Sequence, residues 1–272
     1  MPVRADYHLH SSFSGDSEAS MEEMVLTGID RGLTHMCFTE HMDYDYPVSK
    51  DCPADTFILN PDSYLFDLIK YKERYEDKIA VRFGVELGLQ PHLFGKNAQL
   101  VREYDWDFVI GSSHVVNGKD PYYPDFFEGR SETAAFREYF ESVLANIKKF
   151  KNFDVYGHLD YIVRYAPNKS DHYRYADYSD IIDEILTLLI ENEKGIELNT
   201  AAFSKGFPEP NPCTDIIRRY HELGGEIITV GSDAHKPEDI AAHFDKATDI
   251  LLACGFRYYT AFQFRIPEYI KL

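Results

Sequence analysis

Long apolar segments and clustered basic residues are both absent from this 272-residue sequence. No apolar run approaches the roughly 20 residues of a transmembrane helix, and the N-terminal residues enter a strand-like pattern with no signal-peptide pattern before it. Lys and Arg number 28 against 46 Asp and Glu, a formal net charge of -18. Surfaces that bind nucleic acid polymers neutralise phosphates with clustered Lys and Arg. The sequence therefore argues against a membrane protein or a polymer-binding protein, and we expect a cytoplasmic one.

Cysteine and glycine motifs are also missing. The four cysteines lie far apart in the sequence, which excludes a zinc knuckle and a dithiol redox motif. No glycine-rich dinucleotide-binding fingerprint follows any of the strand-like segments. The sequence contains no signal for a particular oligomeric state.

Short β-branched or aromatic segments alternate with longer amphipathic ones along the whole chain, which is typical of repeated βα units around a parallel sheet. The strands are predicted at residues 6–9, 35–39, 81–86, 108–112, 154–157, 196–199 and 227–231, with a closing strand near 258–264. The clearest helices are predicted at residues 21–31, 63–75, 132–150, 178–193, 214–223 and 238–253. Seven such units favour an α/β barrel over an open sheet, and the length suits a single domain spanning residues 1–272.

Two predicted loops are long: residues 42–61, after the second strand, and 115–131, after the fourth. Loops of this length in a compact domain are usually lids or binding loops. Both leave the C-terminal side of the predicted barrel, where barrel enzymes build their active sites.

Histidines and acidic residues concentrate at the ends of the predicted strands. The chain has 11 histidines, and six of them occupy such positions. They are accompanied there by acidic residues, giving the set His8, His10, Glu40, His41, Glu86, His114, His158, Asp160, Asp233 and His235. His8 and His10 are two residues apart on one strand, so their side chains project to the same face. This distribution predicts a metal site, whereas we interpret His35, His92, His172, His221 and His243 as ordinary core or surface residues.

Nitrogen and oxygen ligands without thiolates suit Zn, Mn, Fe or Co. Two such ions about 3.5 to 4 Å apart can share a bridging hydroxide and stabilise both sides of an in-line displacement at phosphorus. The sequence thus favours phosphate ester hydrolysis. Bound cations would also attract an anionic substrate locally, despite the acidity of the whole chain.

Six short segments, taken together, resemble the polymerase and histidinol phosphatase (PHP) superfamily. In sequence order they are His8-Leu9-His10-Ser11, Thr39-Glu40-His41, Gly84-Val85-Glu86, Gly111-Ser112-Ser113-His114, Gly157-His158-Leu159-Asp160 and Gly231-Ser232-Asp233-Ala234-His235. The resemblance implies a distorted (β/α)7 TIM-like barrel that holds two to three divalent ions. The chain is most similar to the bacterial monofunctional histidinol-phosphatase branch, through residues 111–118, the segment from His158 to Arg164, and its length.

The resemblance also implies a distribution of ligands. One ion would be held by His8, His10, Glu86 and Asp233. Glu86 would bridge to a second ion held by His114 and His158, and a third would be held by Asp16, His41 and His235. Three dications against the carboxylates of Asp16, Glu86 and Asp233 leave a charge that suits hydroxide and a phosphate dianion.

Further residues are candidates for substrate binding and proton transfer. Arg164 is the candidate phosphate clamp, because a planar guanidinium matches phosphate oxygens. Asp233 or His235 is expected to assist proton transfer to the departing alcohol. The acidic loop with Asp43 and Tyr44 could receive the cationic end of L-histidinol phosphate.

Two alternatives to a histidinol-phosphatase stay open at this point. One is a phosphodiesterase or phosphatase of the same superfamily that acts on nucleotides or other small phosphate esters. The other is a metal-binding protein that has lost catalytic activity.

Overall fold

The computed structural model describes residues 3–50, 52–169 and 171–272. Seven parallel strands form one sheet in sequence order. They are β1 Ala5–Leu9, β2 His35–Met42, β3 Ala80–Gly88, β4 Phe108–Ser112, β5 Val155–Tyr156, β6 Gly195–Asn199 and β7 Ile228–Gly231. The sheet curves until β1 and β7 meet, where Asp233 N donates to His8 O over 2.7 Å and His10 N donates to Ala234 O over 2.9 Å. The predicted distorted (β/α)7 barrel is confirmed.

Helices connect the strands and cover the outside of the barrel. They are α1 Met21–Asp30, α2 Pro61–Arg74, α3 Phe94–Glu103, α4 Glu132–Lys149, α5 Ser179–Glu191, α6 Ala201–Ser204, α7 Thr214–Glu222 and α8 Phe244–Ala253. Local sequence sets several of the helix starts. Ser20 and Glu23 form a capping box at α1, Asn60 caps α2 with proline at its first position, and the Ser131 side chain accepts from Ala134 N at α4. In the described part of the chain, no helix is long and apolar enough to cross a bilayer.

Residues 258–264 contain a strand, as predicted, but the prediction that this strand closes the barrel is wrong. These residues form β8 Tyr258–Gln263, which pairs antiparallel with β9 Ile266–Lys271 in a separate two-stranded sheet. This hairpin is attached to the N-terminal end of the barrel, where Arg265 donates to Asp154 just before β5 and Phe264 N donates to Asp107 just before β4. The pattern of β8 suited a strand, but it could not show which partner the strand pairs with.

Other differences from the prediction are local. β2 continues to Met42, so Glu40 and His41 lie within the strand instead of after it. The helix predicted from residue 238 begins only at Phe244, because residues 237–239 form a short 3-10 turn and His243 has a left-handed φ of 62°. Helix α3 was not predicted. Of its buried side chains, Asn97, Leu100 and Val101, only the last two are apolar, which gives a weak helical pattern.

Candidate metal centre and phosphate site

Glu86 lies at the centre of the strand ends and contacts histidines from four strands or the segments that follow them. Its Oε2 lies 3.2 Å from His8 Nε2 and 3.0 Å from His41 Nδ1, and its Oε1 lies 3.2 Å from His114 Nε2 and 3.0 Å from His158 Nε2. Ser112 donates to Oε1 over 2.6 Å. Glu86 is fully buried. One carboxylate among several imidazoles is the geometry of a bridging metal ligand.

Asp233 and Asp16 extend the cluster toward solvent. Asp233 Oδ1 lies 3.7 Å from both His8 Nε2 and His10 Nε2, and Asp16 Oδ2 lies 3.1 Å from His235 Nε2. The His10 ring stacks on the rings of His41 and His235, with 4.2 Å between centroids in each case. All nine predicted ligands therefore converge at one end of the barrel.

Within the described part of the chain, four groups of three side chains are close enough to hold an ion. They are His8 with His10 and Asp233, His8 with Glu86 and His158, His41 with Glu86 and His114, and His10 with His41 and His235. The groups do not follow the predicted distribution of ligands strictly, because His41 also approaches Glu86. Asp16 belongs to none of them but lies beside the last one.

Several polar atoms in the cluster lack a well-oriented hydrogen bond, which fits metal ions. Among the described residues, no group is oriented to form a hydrogen bond with His8 Nε2, His10 Nε2, His41 Nδ1, His158 Nδ1, His235 Nε2 or Glu86 Oε2, although some of these atoms lie close to one another. A buried polar atom left unpaired costs free energy, so such a concentration points to a missing partner that binds both nitrogen and oxygen. Divalent cations meet that requirement, and the donor set contains no thiolate.

The electrostatics of the cluster agree with this assignment. Burial alone would raise the pKa of Glu86, but His8, His114 and His41 hold it well below its usual range. Burial would lower the pKa of His114, yet Asp43 and Glu86 raise it to about 10. Protons and cations compete for such imidazoles, so metal binding here would release protons.

Carboxylates outside the cluster orient its histidines. His8 Nδ1 donates to Glu197 Oε1 over 2.6 Å, and His114 Nδ1 donates to Asp43 Oδ1 over 2.7 Å. Each bond leaves Nε2 free to face the centre of the site. Gly231 makes room for this arrangement, because a Cβ there would overlap the Glu197 carboxylate and the His8 side chain. Glu197 was not predicted, although a charged residue within a buried strand is itself an unusual signal.

A cavity of about 610 Å³ opens above the cluster, between the two long loops. Arg164 reaches its wall from the 3-10 turn Tyr161–Tyr165 and donates from Nη1 to Asp233 Oδ2 over 2.8 Å. Lys205 also lines it, with Nζ 3.4 Å from the Tyr165 hydroxyl. The rest of the lining is notably aromatic: Tyr46, Phe57, Tyr122, Tyr123, Tyr161 and Tyr165. The two predicted binding loops thus face the cluster.

Of the two residues of the acidic loop expected to bind the cationic end of the substrate, Asp43 lines the cavity and Tyr44 does not. Asp43 touches the cavity, but its carboxylate is buried and engaged with His114, and its Oδ2 lies 3.6 Å from His41 Nδ1. Tyr44 is not part of the lining, and its ring lies under the Lys96 ammonium at 5.3 Å. Asp120 is the acidic residue that shares the wall with the tyrosines, and it accepts from the Tyr46 hydroxyl over 2.5 Å.

The chain is similar to known proteins over most of its length. The PHP domain model matches residues 6–201. A probable histidinol-phosphatase of Clostridium acetobutylicum is 33% identical over 93% of this chain and 94% of its own length. A histidinol-phosphatase of Lactococcus lactis is 32% identical over 93% of this chain and 92% of its own length.

Solved structures extend the comparison to the whole fold. The histidinol phosphate phosphatase of Lactococcus lactis, complexed with zinc, L-histidinol and phosphate, matches with a TM-score of 0.90. It is 31% identical, and the match covers 97% of this chain and 98% of that one. A putative histidinol phosphatase of Listeria monocytogenes, 20% identical, shares the fold with a TM-score of 0.74 over 89% of this chain and 99% of its own. The resemblance read from six short segments is confirmed, and the chain belongs to the PHP domain family.

Proposed function

We propose that this protein is a metal-dependent histidinol-phosphatase, which hydrolyses L-histidinol phosphate to L-histidinol and phosphate. The observation that carries the proposal is the bridging position of Glu86 among His8, His41, His114 and His158, directly below a cavity that contains Arg164. The names of the curated relatives and the ligands of the Lactococcus lactis structure support the same reaction. A cytoplasmic location is part of the proposal.

The metal ligands are the nine predicted ones: His8, His10, Asp16, His41, Glu86, His114, His158, Asp233 and His235. The four clusters of three side chains and their unpartnered atoms support two to three divalent ions at this site. Zinc is favoured by its presence in the Lactococcus lactis structure. Such ions, when bound, activate water and neutralise charge on the phosphoryl group.

The phosphate group is bound by cationic side chains of the cavity wall. Arg164 presents a planar guanidinium whose side chain is only 2% exposed, so its charge is weakly screened. Lys205 contributes a second positive charge on the same wall. Asp233 and His235 lie where the cluster meets the cavity, and one of them passes a proton to the departing alcohol oxygen.

The organic part of the substrate is bound by the aromatic wall. L-Histidinol carries an amine and an imidazole, and tyrosine faces attract cations and stack on flat rings. Asp120 supplies the negative charge there, because the Asp43 carboxylate is engaged with His114 and Tyr44 lies outside the lining of the cavity.

The test compares catalytic efficiencies of the metal-loaded protein on L-histidinol phosphate, an aryl phosphate and a mononucleotide. We expect the highest kcat/KM for L-histidinol phosphate and loss of all activity after chelation. Equal efficiency on the three esters would reject the specificity, and preference for the nucleotide would favour the alternative phosphatase. Bound metal without phosphate release from any ester would support an inactive metal-binding protein.

A further inference from the structure

The guanidinium group of Arg164 is held by three different segments of the chain. Its Nε donates to Asn211 Oδ1 over 2.7 Å, Nη2 to Asn199 Oδ1 over 2.6 Å, and Nη1 to Asp233 Oδ2 over 2.8 Å. Each Nη atom retains a second hydrogen, and Arg164 lines the cavity. The group is therefore fixed in direction while it can still donate to an anion.

The orientation of Asn211 depends on Asp160. Asn211 Nδ2 donates to Asp160 Oδ1 over 2.6 Å, and Cys213 N donates to Asp160 Oδ2 over 2.9 Å. A carboxylate only accepts, so it requires the amide nitrogen of Asn211 on its side. The amide oxygen is then turned toward Arg164. Asp160 is 1% exposed and Asn211 3%, so water does not compete for these bonds.

Asn199 is oriented toward Arg164 in the same way as Asn211. Asn199 Nδ2 donates to Glu197 Oε2 over 3.2 Å, which turns its oxygen toward Arg164 Nη2. Glu197, however, also binds His8 and the backbone of His158. The hydrogen bonds that run from Asp160 through Asn211 to Arg164 involve no proposed metal ligand. Asp160 can therefore be altered separately, whereas Glu197 cannot.

We propose that Asp160 is a positioning residue that acts through Asn211 on Arg164 and sets the angle at which the guanidinium meets the phosphate group. The inference rests on the proposed phosphatase function. Its consequence is that Asp160 affects phosphate binding only while Arg164 is present. A purely structural Asp160, which ties residues 211–213 to the end of β5, would act equally in the absence of Arg164.

The experiment is a double-mutant cycle on the metal-loaded protein with Asp160→Asn, Arg164→Gln and the combined variant. Asparagine keeps the size of Asp160 but offers one acceptor oxygen to two donors. We expect Asp160→Asn to weaken both kcat/KM and the binding of inorganic phosphate by about ten- to hundredfold, the scale of a lost hydrogen bond in a charged network. In the Arg164→Gln background, the same change should cost less than about threefold. Metal content should stay unchanged throughout.

Asp180→Asn is the matched control, because Asp180 is exposed and pairs only with Arg137 on the surface. An additive cycle, with the full loss also in the Arg164→Gln background, would overturn the inference and leave the phosphatase function intact. Metal loss in Asp160→Asn would likewise overturn it. A parent protein that releases no phosphate from any ester would instead overturn the proposed function. Calorimetric binding of inorganic phosphate gives the cycle a readout that does not need turnover.

Discussion

At the scale of single residues, the site depends on carboxylates that orient its histidines. Glu197 accepts from His8 Nδ1 with one oxygen and from His158 N with the other, over 2.6 and 2.8 Å. Such partners fix the ring orientation of a metal-binding histidine and raise its basicity. Asp43 has the same relation to His114.

Glu197→Gln should lower metal affinity, because glutamine has one acceptor oxygen where the site contains three donors, His8 Nδ1, His158 N and Asn199 Nδ2. We expect a loss of about 10- to 100-fold in metal affinity or in kcat/KM, measured by chelator competition and phosphate release. Glu184→Gln is the control, since Glu184 is half exposed and pairs with Lys148. Retention of full metal affinity by Glu197→Gln would show that Glu197 does not support His8.

The lowered pKa of Lys205 predicts that phosphate binding depends on pH. Desolvation by the surrounding protein and the positive charge of Arg164 lower the pKa of Lys205 to about 8. Its charge is therefore present below pH 8 and lost above, so phosphate binding should weaken as the pH rises through this value. Lys205→Arg should move the alkaline loss of phosphate binding to higher pH, because arginine stays charged. An unchanged profile of the inhibition constant for phosphate would exclude a role of Lys205.

At the scale of elements, Asp6 joins the two ends of the barrel sheet. From β1 it accepts from Ser232 Oγ over 2.6 Å, Ser232 N over 3.0 Å and Ala241 N over 3.0 Å, in the segment that follows β7. The proposed metal ligands of β1 and of that segment are thereby held in register.

Asp6→Asn should destabilise the barrel. The amide nitrogen of asparagine would replace one of the two carboxylate oxygens that accept hydrogen bonds from Ser232 and Ala241. We expect the free energy of unfolding to fall by about 1 to 3 kcal/mol, measured by urea denaturation of the metal-free protein. Asp249→Asn, on the exposed face of α8, should change it by less than about 0.5 kcal/mol. Equal stabilities of the two variants would contradict the role of Asp6 in barrel closure.

At the scale of the whole molecule, an acidic chain concentrates six of its 11 histidines at the proposed phosphate site. The net charge of -18 opposes phosphate, and only local cations reverse the sign. The nine proposed ligands come from segments between residues 8 and 235, so bound ions would connect most of the barrel.

Metal removal should therefore lower global stability together with activity. Ligands that bind only the folded state stabilise it by about 2.7 kcal/mol at a hundred times their Kd. We expect chelation to lower the Tm, and added Zn or Mn to restore it in a concentration-dependent way, as measured by differential scanning calorimetry. Calcium, a poor match for imidazoles, serves as the control ion. A Tm that is insensitive to chelation would contradict a shared metal centre.

The sequence by itself determined the barrel class and predicted which histidines and carboxylates would meet at one end of it, because both follow from local pattern. His8 and His10 share a strand face, and parallel strands bring their carboxyl ends together, so residues scattered from Glu86 to His235 could be expected to meet. The tertiary structure alone decided which side chains bond to one another and which strands pair. Glu197 contacts His8 from 189 positions away, Asp160 reaches Arg164 only through Asn211, and β8 pairs with β9 outside the barrel. Hydrogen bonds and strand pairings between distant segments leave no periodic trace in a sequence, since they depend on how the chain closes in space.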